Sequence, residues 1–389
     1  MSMTLTGSAA ISGFAEMPST KQPGDLTAMD IATRLSVQAV SDAGLEKADI
    51  DGLLTVTPVA EPCILWPTAL CEALKLDLSY FDSVDLGGAS SAGMIWRAAA
   101  AIHSGMCNHV LCVVSDVMCG ASFKNILDIA PPSDHEFELP YGNIPPLAGY
   151  GMIANRHMHE YGTTAEQMAK IAVDQRANAM LTPGALFGDS PLTIAEVLAS
   201  PVICSPLHLT EIVSPCTGGS AVVVSRADAL GECPHDPVYL LGAGEAGSHT
   251  SVTHVDSLTH SWVRHAAKRA FDMAAISCDQ VDFVQLYDCF PITVLLTLED
   301  MGFCAKGKGG RFVEERDLTW QGDFPCNTNG GQLSFGQAGA AGGMCHIIEA
   351  VRQLMGRAEG RQLADPTIGV AHGNGGIMGE QVTLVLGLA

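Results

Sequence analysis

The sequence predicts a layered α/β fold that is made of two similar halves. The chain has 389 residues, which is more than one ordinary hydrophobic core holds, so a second domain or a duplicated one is expected. Strand-like and helix-like segments alternate along the chain, an order that is typical of parallel strands with helices packed on them. The second half of the chain also repeats the order of segments found in the first.

Five segments of the first half follow one another as strand, helix, strand, helix and strand. The apolar residues 8–14 predict the first strand, and a helix with Asp25 as its N-cap follows, since apolar residues recur there at helical spacing. Residues 50–56 predict the second strand and the Ala-rich residues 93–103 the next helix. Residues 109–115 are mostly apolar, which is typical of a strand that is buried on both faces.

The second half repeats these segments in the same order. Residues 263–274 predict a helix that leads through a short turn and a Val-Asp pair into a strand ending at Tyr287. The first half has the matching helix end, turn and Ile-Asp pair at residues 43–54. A Gly-rich turn, a helix and an apolar strand then occur at residues 330–370, as they do at residues 87–115. These two echoes predict a duplicated architecture.

The domain boundaries follow from this repeat. The predicted halves span residues 1–235 and 236–389, and they are joined near residues 230–237. The stretch at about residues 118–200 has no counterpart in the second half. We therefore predict that it is a loop-domain insertion into the first half, of the kind that often shapes a binding site.

Composition and charge exclude several classes of protein. The formal net charge is −22 at pH 7 and the Lys and Arg residues are scattered, so no nucleic-acid partner is expected, because phosphate contacts need clustered cations. The 13 Cys residues contain no C-x-x-C pair, so no zinc site is expected. We expect no signal peptide, because no basic start followed by an apolar run is found, and no membrane span, because no apolar run approaches about 20 residues. These features predict a cytoplasmic protein with reduced thiols.

Two further motifs resemble ligand sites but lack the context that such sites need. The segment from Gly242 to Gly247 matches the dinucleotide motif G-x-G-x-x-G, but polar and β-branched residues follow where a helix has to begin. His157 and His159 are two residues apart on a helical segment, so they point to different faces, and we expect both on the solvated surface. Neither a cofactor nor a metal ion is therefore expected.

The most informative segment contains Tyr287 and Asp288. It lies at the end of a predicted buried strand, just before a helix at residues 292–301. Ligands of parallel α/β sheets bind at this end of the strands, and a polar pair is unexpected there for packing alone. Two interpretations remain open, because the Tyr287 hydroxyl either caps the following helix or belongs to a binding site.

Two Gly-rich loops accompany this segment. Residues 327–343 contain Gly336 and Gln337, and residues 372–379 contain Gly373 and Asn374. Glycines allow tight turns and let the backbone approach a ligand closely. Tight loops alone would produce the same pattern, but beside the Tyr-Asp segment the two loops predict further walls of one pocket.

Three long segments, at residues 282–303, 327–343 and 348–356, resemble the thiolase superfamily. The resemblance covers essentially the whole chain, and it is strongest to the sterol-carrier-protein type thiolases and the lipid-transfer-protein-like aldolases. It implies a five-layered α-β-α-β-α thiolase fold made of two similar halves, which agrees with the duplication. It also implies an acyl-CoA substrate.

The resemblance places four residues where thiolases carry reactive groups. Gly88 matches the nucleophilic Cys, and Tyr287 matches the Asn or His of the N-E-x-F or H-D-x-F motif. Gln337 matches the His of the G-H-P motif, and Gly373 matches the Cys or His of the last loop. Since no acyl-enzyme can form on Gly88, the usual Claisen cleavage through a thiolate is not expected.

Members of the superfamily without the Cys cleave a β-hydroxyacyl-CoA by a retro-aldol reaction, with tyrosines and a small OB-fold acyl-CoA-binding partner. The resemblance implies that Tyr287 is the base for the β-hydroxyl, with its pKa lowered by positive charge or hydrogen bonds. Gln337 stands where these aldolases have a second Tyr, and it would hold the thioester oxygen together with Asn374. The predicted catalytic residues are Tyr287 and Gln337. The predicted substrate-binding residues are Gly88, Asp288, Asn374, Gly336 and Gly373.

Three functions remain open at this point. The first is a thiolase-like lyase of lipid or steroid degradation that cleaves a β-hydroxyacyl-CoA. The second is an acetyl-CoA acyltransferase with altered catalytic groups, and the third is a non-catalytic acyl-CoA-binding subunit. A homodimer is expected in each case, and we predict contact through the apolar residues 110–114, because an open apolar edge strand would aggregate.

Overall fold

The computed structural model describes residues 5–119, 122, 130–231 and 233–388, so residues 120, 121 and 123–129 of the predicted insertion lie outside the described residues. The described strands are β1 (Ala9–Glu16), β2 (Gly52–Thr55), β3 (Tyr80–Ser83), β4 (His109–Val117), β5 (Val202–Cys204), β6 (Leu207–His208), β7 (Thr217–Arg226), β8 (Val238–Gly247), β9 (Phe283–Leu286), β10 (Ile368–Gly375) and β11 (Glu380–Gly387). The described helices are α1 (Ala28–Asp42), α2 (Trp66–Leu74), α3 (Ser90–His103), α4 (Pro132–Phe137), α5 (Leu147–Tyr161), α6 (Ala165–Ala179), α7 (Ile194–Ala199), α8 (Val263–Ala274), α9 (Pro291–Met301), α10 (Gly309–Glu315), α11 (Gly331–Phe335) and α12 (Met344–Leu354).

Nine of these strands form one mixed sheet, in the order β3-β2-β4-β7-β1-β8-β11-β10-β9. Strands β3, β2 and β4 are parallel to one another, and so are β9 and β10. The strands between them pair antiparallel. Outward from the central β1–β8 pair, β7, β4 and β2 on one side match β11, β10 and β9 on the other. This order agrees with the predicted duplication, while the domain boundaries themselves stay a prediction.

Helices cover both faces of each half of the sheet. Helices α3 and α12 contact each other and strands of both halves, so they form a central layer. Helix α1 packs on the other face of β1, β4 and β7, and α8 packs on the other face of β8 and β11. Helices and sheet halves thus alternate as α-β-α-β-α, which is the predicted five-layered arrangement.

Helix α1 begins two residues later than its predicted cap. Thr27 is the N-cap, and its hydroxyl accepts the backbone N–H of Asp30 at 3.1 Å, while the Asp30 carboxylate accepts the Thr27 N–H at 3.0 Å. This reciprocal capping box satisfies two of the N–H groups that a helix start leaves unpaired. The prediction of Asp25 as the cap is wrong for that reason.

Strand β4 is an interior strand of the sheet. It pairs with β2 on one side and with β7 on the other, and residues 110–114 are fully buried. The prediction that these residues form an open edge for a homodimer is therefore wrong. An unbroken apolar run indicates burial on both faces, and that is the environment of an interior strand rather than an edge. The edge strand of the first half is β3.

The inserted helices α5 and α6 pack against the second half of the chain. Helix α6 contacts α9, α10 and α11, and α5 contacts α9. His157 of α5 is fully buried, with its Nε2 atom 3.1 Å from the Glu299 carboxylate and its Nδ1 atom 2.8 Å from the Thr163 hydroxyl. The prediction that His157 lies on the solvated surface is wrong. Helix α5 packs against α9, and this contact buries the His157 side chain.

The segment from Gly242 to Gly247 forms the second part of β8 and pairs with β11 along its length. A loop follows it. This confirms the expectation that no helix begins directly after Gly247. Within the described residues, no helix has the length and apolar character needed to cross a lipid bilayer.

Candidate active site

Tyr287 directly follows β9 and precedes α9. Its backbone N–H donates to the His372 carbonyl of β10 at 3.0 Å, and its own carbonyl accepts the Thr293 hydroxyl at 2.9 Å. These bonds fix the backbone, and the side chain is 5% exposed. The Tyr287 hydroxyl oxygen accepts a hydrogen bond from the Gln337 amide at 3.1 Å. The hydroxyl therefore contacts the Gly-rich loop rather than α9. The interpretation of this hydroxyl as the cap of the following helix is wrong.

Gly88 lies just before α3 and lies against the phenol of Tyr287. A Cβ atom at position 88 would lie 2.3 Å from both Cζ and Oη of Tyr287, and 2.4 Å from the Asn374 carbonyl oxygen. Such distances are far inside van der Waals contact, so any other residue would have to displace the phenol or strand β10. The phenol occupies the space into which a side chain at position 88 would extend, and the two exclude each other.

Gln337 is held in place by its backbone. Its N–H donates to the Ser214 carbonyl at 3.3 Å, and its carbonyl accepts the Cys216 N–H at 3.0 Å. The preceding Gly336 has φ +119°, a conformation that favours glycine. The loop is also tied to the first half, because the buried Asp116 carboxylate accepts the Ala340 N–H at 3.2 Å. Contacts from the first half of the chain thus position the loop that carries Gln337.

Asp288 makes its observed contacts within the protein, and its predicted contact with substrate stays a prediction. It is fully buried, and its carboxylate accepts the backbone N–H groups of Gln332 at 2.8 Å and Leu333 at 3.1 Å. The same carboxylate lies 3.1 Å from Nε2 of His346. Asp288 therefore holds the start of α11, and it lies beside the Nε2 edge of the His346 ring.

Asn374 takes part in a buried network that reaches the insertion. Its amide nitrogen donates to the Tyr150 hydroxyl at 2.8 Å, and its amide oxygen accepts from Gln381 at 3.0 Å. The Tyr150 hydroxyl in turn donates to the Gly376 carbonyl at 3.0 Å. Neighbouring Gly373 lets β10 pack against α3, since a Cβ atom there would lie 2.9 Å from Cα of Ala89. Both loop residues therefore shape the site, and their predicted contact with substrate stays a prediction.

Tyr287 has the opposite pKa shift from the one we expected. Burial raises the pKa of its phenol well above the ordinary value, and Cys289 and Asp288 act in the same direction, while a hydrogen bond from Gln332 opposes them. The prediction of a lowered pKa is wrong, because the phenol is enclosed by uncharged and acidic groups. At neutral pH Tyr287 is therefore a proton donor, and it can accept a proton only while it passes its own to another group.

Three residues close to Tyr287 were missed by the sequence analysis. His346 has its ring centre 6.1 Å from that of Tyr287, and Tyr150 packs on Phe290 at 4.6 Å between ring centres. The side chain of Gln332 adjoins His346, with its amide nitrogen 3.2 Å from Nε2 of that ring. Only the glycine-rich context of Gln332 and His346 could have pointed to them. Tyr150 carries no local signal, since the fold alone brings the insertion to this place.

His372 gives a testable pH dependence of stability. It lies 2.9 Å from both Gln381 and Thr383, and burial lowers its pKa from 6.5 to about 4. Between about pH 6.5 and pH 4, His372 is protonated in the unfolded chain but not in the folded one. The free energy of unfolding therefore falls as the pH decreases through this range. In His372→Gln the effect is absent. We expect the difference in unfolding free energy between wild type and variant to shrink by about 2 kcal/mol from pH 7 to pH 5, measured by urea unfolding. A difference that is constant over this range contradicts the assignment.

Comparisons with known proteins identify relatives over most of the chain. Residues 244–388 match the family described as "Thiolase C-terminal domain-like". The chain is 32% identical to an acetyl-CoA acetyltransferase of Methanothermobacter thermautotrophicus, over 91% of this chain and 93% of that protein. It is 31% identical to a steroid side-chain-cleaving aldolase of Thermomonospora curvata, over 90% of this chain and 91% of that protein.

Among solved structures, the fold is similar to that of an Ltp2-ChsH2(DUF35) aldolase. The TM-score is 0.86 at 28% sequence identity, and the match covers 99% of this chain and 98% of the other. Relatives of similar identity thus include both an acyltransferase and an aldolase, so the site residues have to distinguish the two activities. The fold has the five layers that the resemblance implied, and relatives match about nine-tenths of the chain. The chain belongs to the thiolase superfamily.

Proposed function

We propose that this protein is a thiolase-like aldolase that cleaves a β-hydroxyacyl-CoA into a carbonyl compound and a shorter acyl-CoA. One observation carries the proposal: the phenol of Tyr287 fills the space that a side chain at Gly88 would need. A thiolase requires a nucleophilic side chain at that position. Here the site contains an acid–base group instead, and a retro-aldol reaction needs proton transfer without a covalent intermediate.

In the proposed reaction, the β-hydroxyl loses its proton, the Cα–Cβ bond breaks, and its electron pair passes to the thioester as an enolate. Proton return to Cα then gives the shorter acyl-CoA. Tyr287 is the group that exchanges these protons, and the Gln337 amide, which donates to the Tyr287 oxygen, stabilises negative charge that develops there. Gln337 has no proton to transfer, so it acts only as a hydrogen-bond donor or acceptor.

The acyltransferase alternative is supported by the relative of that name, but the described thiols near Tyr287 oppose it. Cys289 and Cys345 are both buried, and burial raises the pKa of each thiol well above the ordinary value. A neutral thiol is a poor nucleophile, because the thiolate is the reactive form. Neither thiol is therefore suited to replace the missing nucleophile, and we prefer the aldolase.

Partners follow from the name of the similar structure. An Ltp2-ChsH2(DUF35) aldolase is named for two components. We propose that this chain also works with a small OB-fold acyl-CoA-binding partner, in the cytoplasm, on a lipid-like or steroid-like acyl-CoA. The third alternative, a non-catalytic binding subunit, predicts no turnover even when that partner is present.

We further propose a homodimer that forms through strand β3. This strand is an edge of the sheet, and Phe81 at its centre is 49% exposed. Exposed edges are normally covered, since they pair readily with other strands. We expect a dimer in light scattering at micromolar concentration and a monomer for Phe81→Lys, since a charge on each copy opposes pairing. A monomeric wild-type protein, or a dimer that survives Phe81→Lys unchanged, contradicts this interface.

The experiment that tests the proposed function is incubation of the protein and its OB-fold partner with a β-hydroxyacyl-CoA whose β-carbon bears a tertiary alcohol. We expect a ketone and the shortened acyl-CoA, detected by mass spectrometry. Intact mass of the protein during turnover should show no acyl adduct. An acyl-Cys adduct, or an absence of the ketone, contradicts the proposal.

A further inference from the structure

Asp116, at the end of strand β4, is a buried carboxylate without a cation beside it. Its side chain is 0% exposed, and no Lys, Arg or His among the described residues forms an ion pair with it. Taking a carboxylate out of water is costly unless other groups bind its oxygens. The groups that bind Asp116 therefore show which parts of the protein it holds together.

Backbone N–H groups from three segments bind the Asp116 oxygens. Oδ2 accepts the N–H of Val59 at 2.8 Å and that of Ala340 at 3.2 Å. Oδ1 accepts the N–H groups of Ala60 and Val117, each at 3.0 Å. Both oxygens are thus acceptors, which is the role of an ionised carboxylate. One side chain therefore joins the end of β4, the loop between β2 and α2, and the first of the two Gly-rich loops.

This Gly-rich loop lies on the ends of two neighbouring strands. Strand β4 pairs with β7, and the backbone of Gln337 bonds to Ser214 and Cys216, just before β7. Ala340, three residues further along the loop, is the residue that donates to Asp116. The loop is therefore attached at two points, to the start of β7 through Gln337 itself and to the end of β4 through Asp116.

Gly339 lets the loop lie directly on the carboxylate. Its φ is +48°, a conformation that favours glycine. A Cβ atom at this position would lie 2.2 Å from Oδ2 of Asp116. Such a distance is far inside van der Waals contact, so any other residue would have to push the carboxylate and the loop apart. The contact can thus be tested from either side, by substitution of Asp116 or of Gly339.

We propose that Asp116 is a positioning residue for the proposed aldolase reaction, on which this inference rests. By holding Ala340 it fixes the loop, and the fixed loop keeps the Gln337 amide 3.1 Å from the Tyr287 oxygen. Asp116 thus acts through Gln337 and not on the substrate. Gln337 stabilises charge that develops during the reaction, so loss of its position should lower kcat and leave KM nearly unchanged.

The first test compares Asp116→Asn with Asp51→Asn as a matched control, in the presence of the OB-fold partner. The Asn side chain has one acceptor oxygen, so at least one of the four N–H groups loses its acceptor. We expect kcat to fall about 10- to 100-fold, since a displacement of about 1 Å can cost about 10²-fold in rate. Asp51 also binds backbone N–H groups, those of Asn108 and His109 at 2.8 Å, but at the start of β4. Asp51→Asn should therefore lower stability and keep kcat. A folded Asp116→Asn enzyme with wild-type kcat overturns the proposal.

Gly339→Ala tests the same contact from the loop, even if Asp116→Asn does not fold. We expect it to lower kcat to a similar extent. Gly105→Ala is its control, because Gly105 also has a positive φ, +76°, but no atom of the described residues lies within 4 Å of an added Cβ. The control should lose stability and keep kcat. A Gly339→Ala enzyme with the kcat of Gly105→Ala contradicts the proposal.

A double variant shows whether Asp116 acts through Gln337. In a Gln337→Ala background, Asp116→Asn should lower kcat little further, because the amide that it positions is gone. An equal loss in both backgrounds overturns the proposal.

Hydrogen exchange tests the positioning without turnover. Exchange of the backbone amides in residues 336–342 should be faster in Asp116→Asn than in wild type, whereas Asp51→Asn should leave it unchanged. Unchanged exchange in Asp116→Asn, or faster exchange with wild-type kcat, overturns the positioning role. A wild-type protein that cleaves no β-hydroxyacyl-CoA defeats the aldolase function instead, and the exchange measurement then decides separately whether Asp116 holds the loop.

Discussion

Tyr287→Phe should lower the rate of β-hydroxyacyl-CoA cleavage by about 10²–10⁴-fold, the usual contribution of a general acid–base group. The substitution removes one hydroxyl and little volume, so the ring still fills the space beside Gly88. Its cost to stability is the hydrogen bond from Gln337, worth about 0.5–1.5 kcal/mol. The measurement is kcat with the OB-fold partner present, together with a thermal unfolding curve.

Tyr161→Phe is the matched control for this experiment. Tyr161 ends helix α5, and its hydroxyl makes a long contact of 3.5 Å with Thr259. The control should keep wild-type kcat. Unchanged activity in Tyr287→Phe, with an intact fold, would show that the reaction does not pass through the phenol and would make a rebuilt thiolase the better account.

Gly88→Ala should damage both stability and activity. The added methyl group would lie 2.3 Å from the Tyr287 phenol and 2.4 Å from the Asn374 carbonyl, so the site has to rearrange. Overpacking of this kind typically costs about 1–3 kcal/mol. A displacement of the phenol by about 1 Å is enough for a loss of about 10²-fold in rate. Urea unfolding and kcat measure the two effects.

A control glycine and a double variant test the cause of this loss. At Gly188 the nearest atom to an added Cβ is 3.3 Å away, so Gly188→Ala should be much milder. In a Tyr287→Ala background, Gly88→Ala should cost less than in wild type, because one of its two clashes is removed. Additive effects of the two substitutions would contradict the claim that the phenol and a side chain at position 88 exclude each other.

Much of the fold is predictable from local sequence patterns. Apolar runs and helical spacing identify β1, β4 and α8 because each element buries one face or both. The order in which strands pair is not local, however, and the misplacement of residues 110–114 at an edge shows this. The choice of N-cap residue also depends on local geometry. Thr27, and not Asp25, is the N-cap of α1, because it forms the reciprocal capping box with Asp30.

The candidate site divides in the same way. Gly88, Tyr287 and Gln337 lie in segments with a recognisable pattern, and the structure brings them into contact. His346 and Tyr150 reach the site only through the packing of α12 and of the insertion, which no spacing in the chain encodes. The direction of the Tyr287 pKa shift likewise depends on what surrounds the phenol, and the sequence does not reveal those neighbours.

The dependence of cleavage on free coenzyme A tests the central claim most directly. A thiolase needs free coenzyme A to release the acyl group that is bound to the enzyme. In a retro-aldol reaction the acyl product is already a coenzyme A thioester when the C–C bond breaks. We expect the protein and its partner to form one carbonyl product per shortened acyl-CoA, at a rate that does not change when free coenzyme A is added. Cleavage that occurs only with free coenzyme A and leaves an acyl group on a Cys would contradict the account.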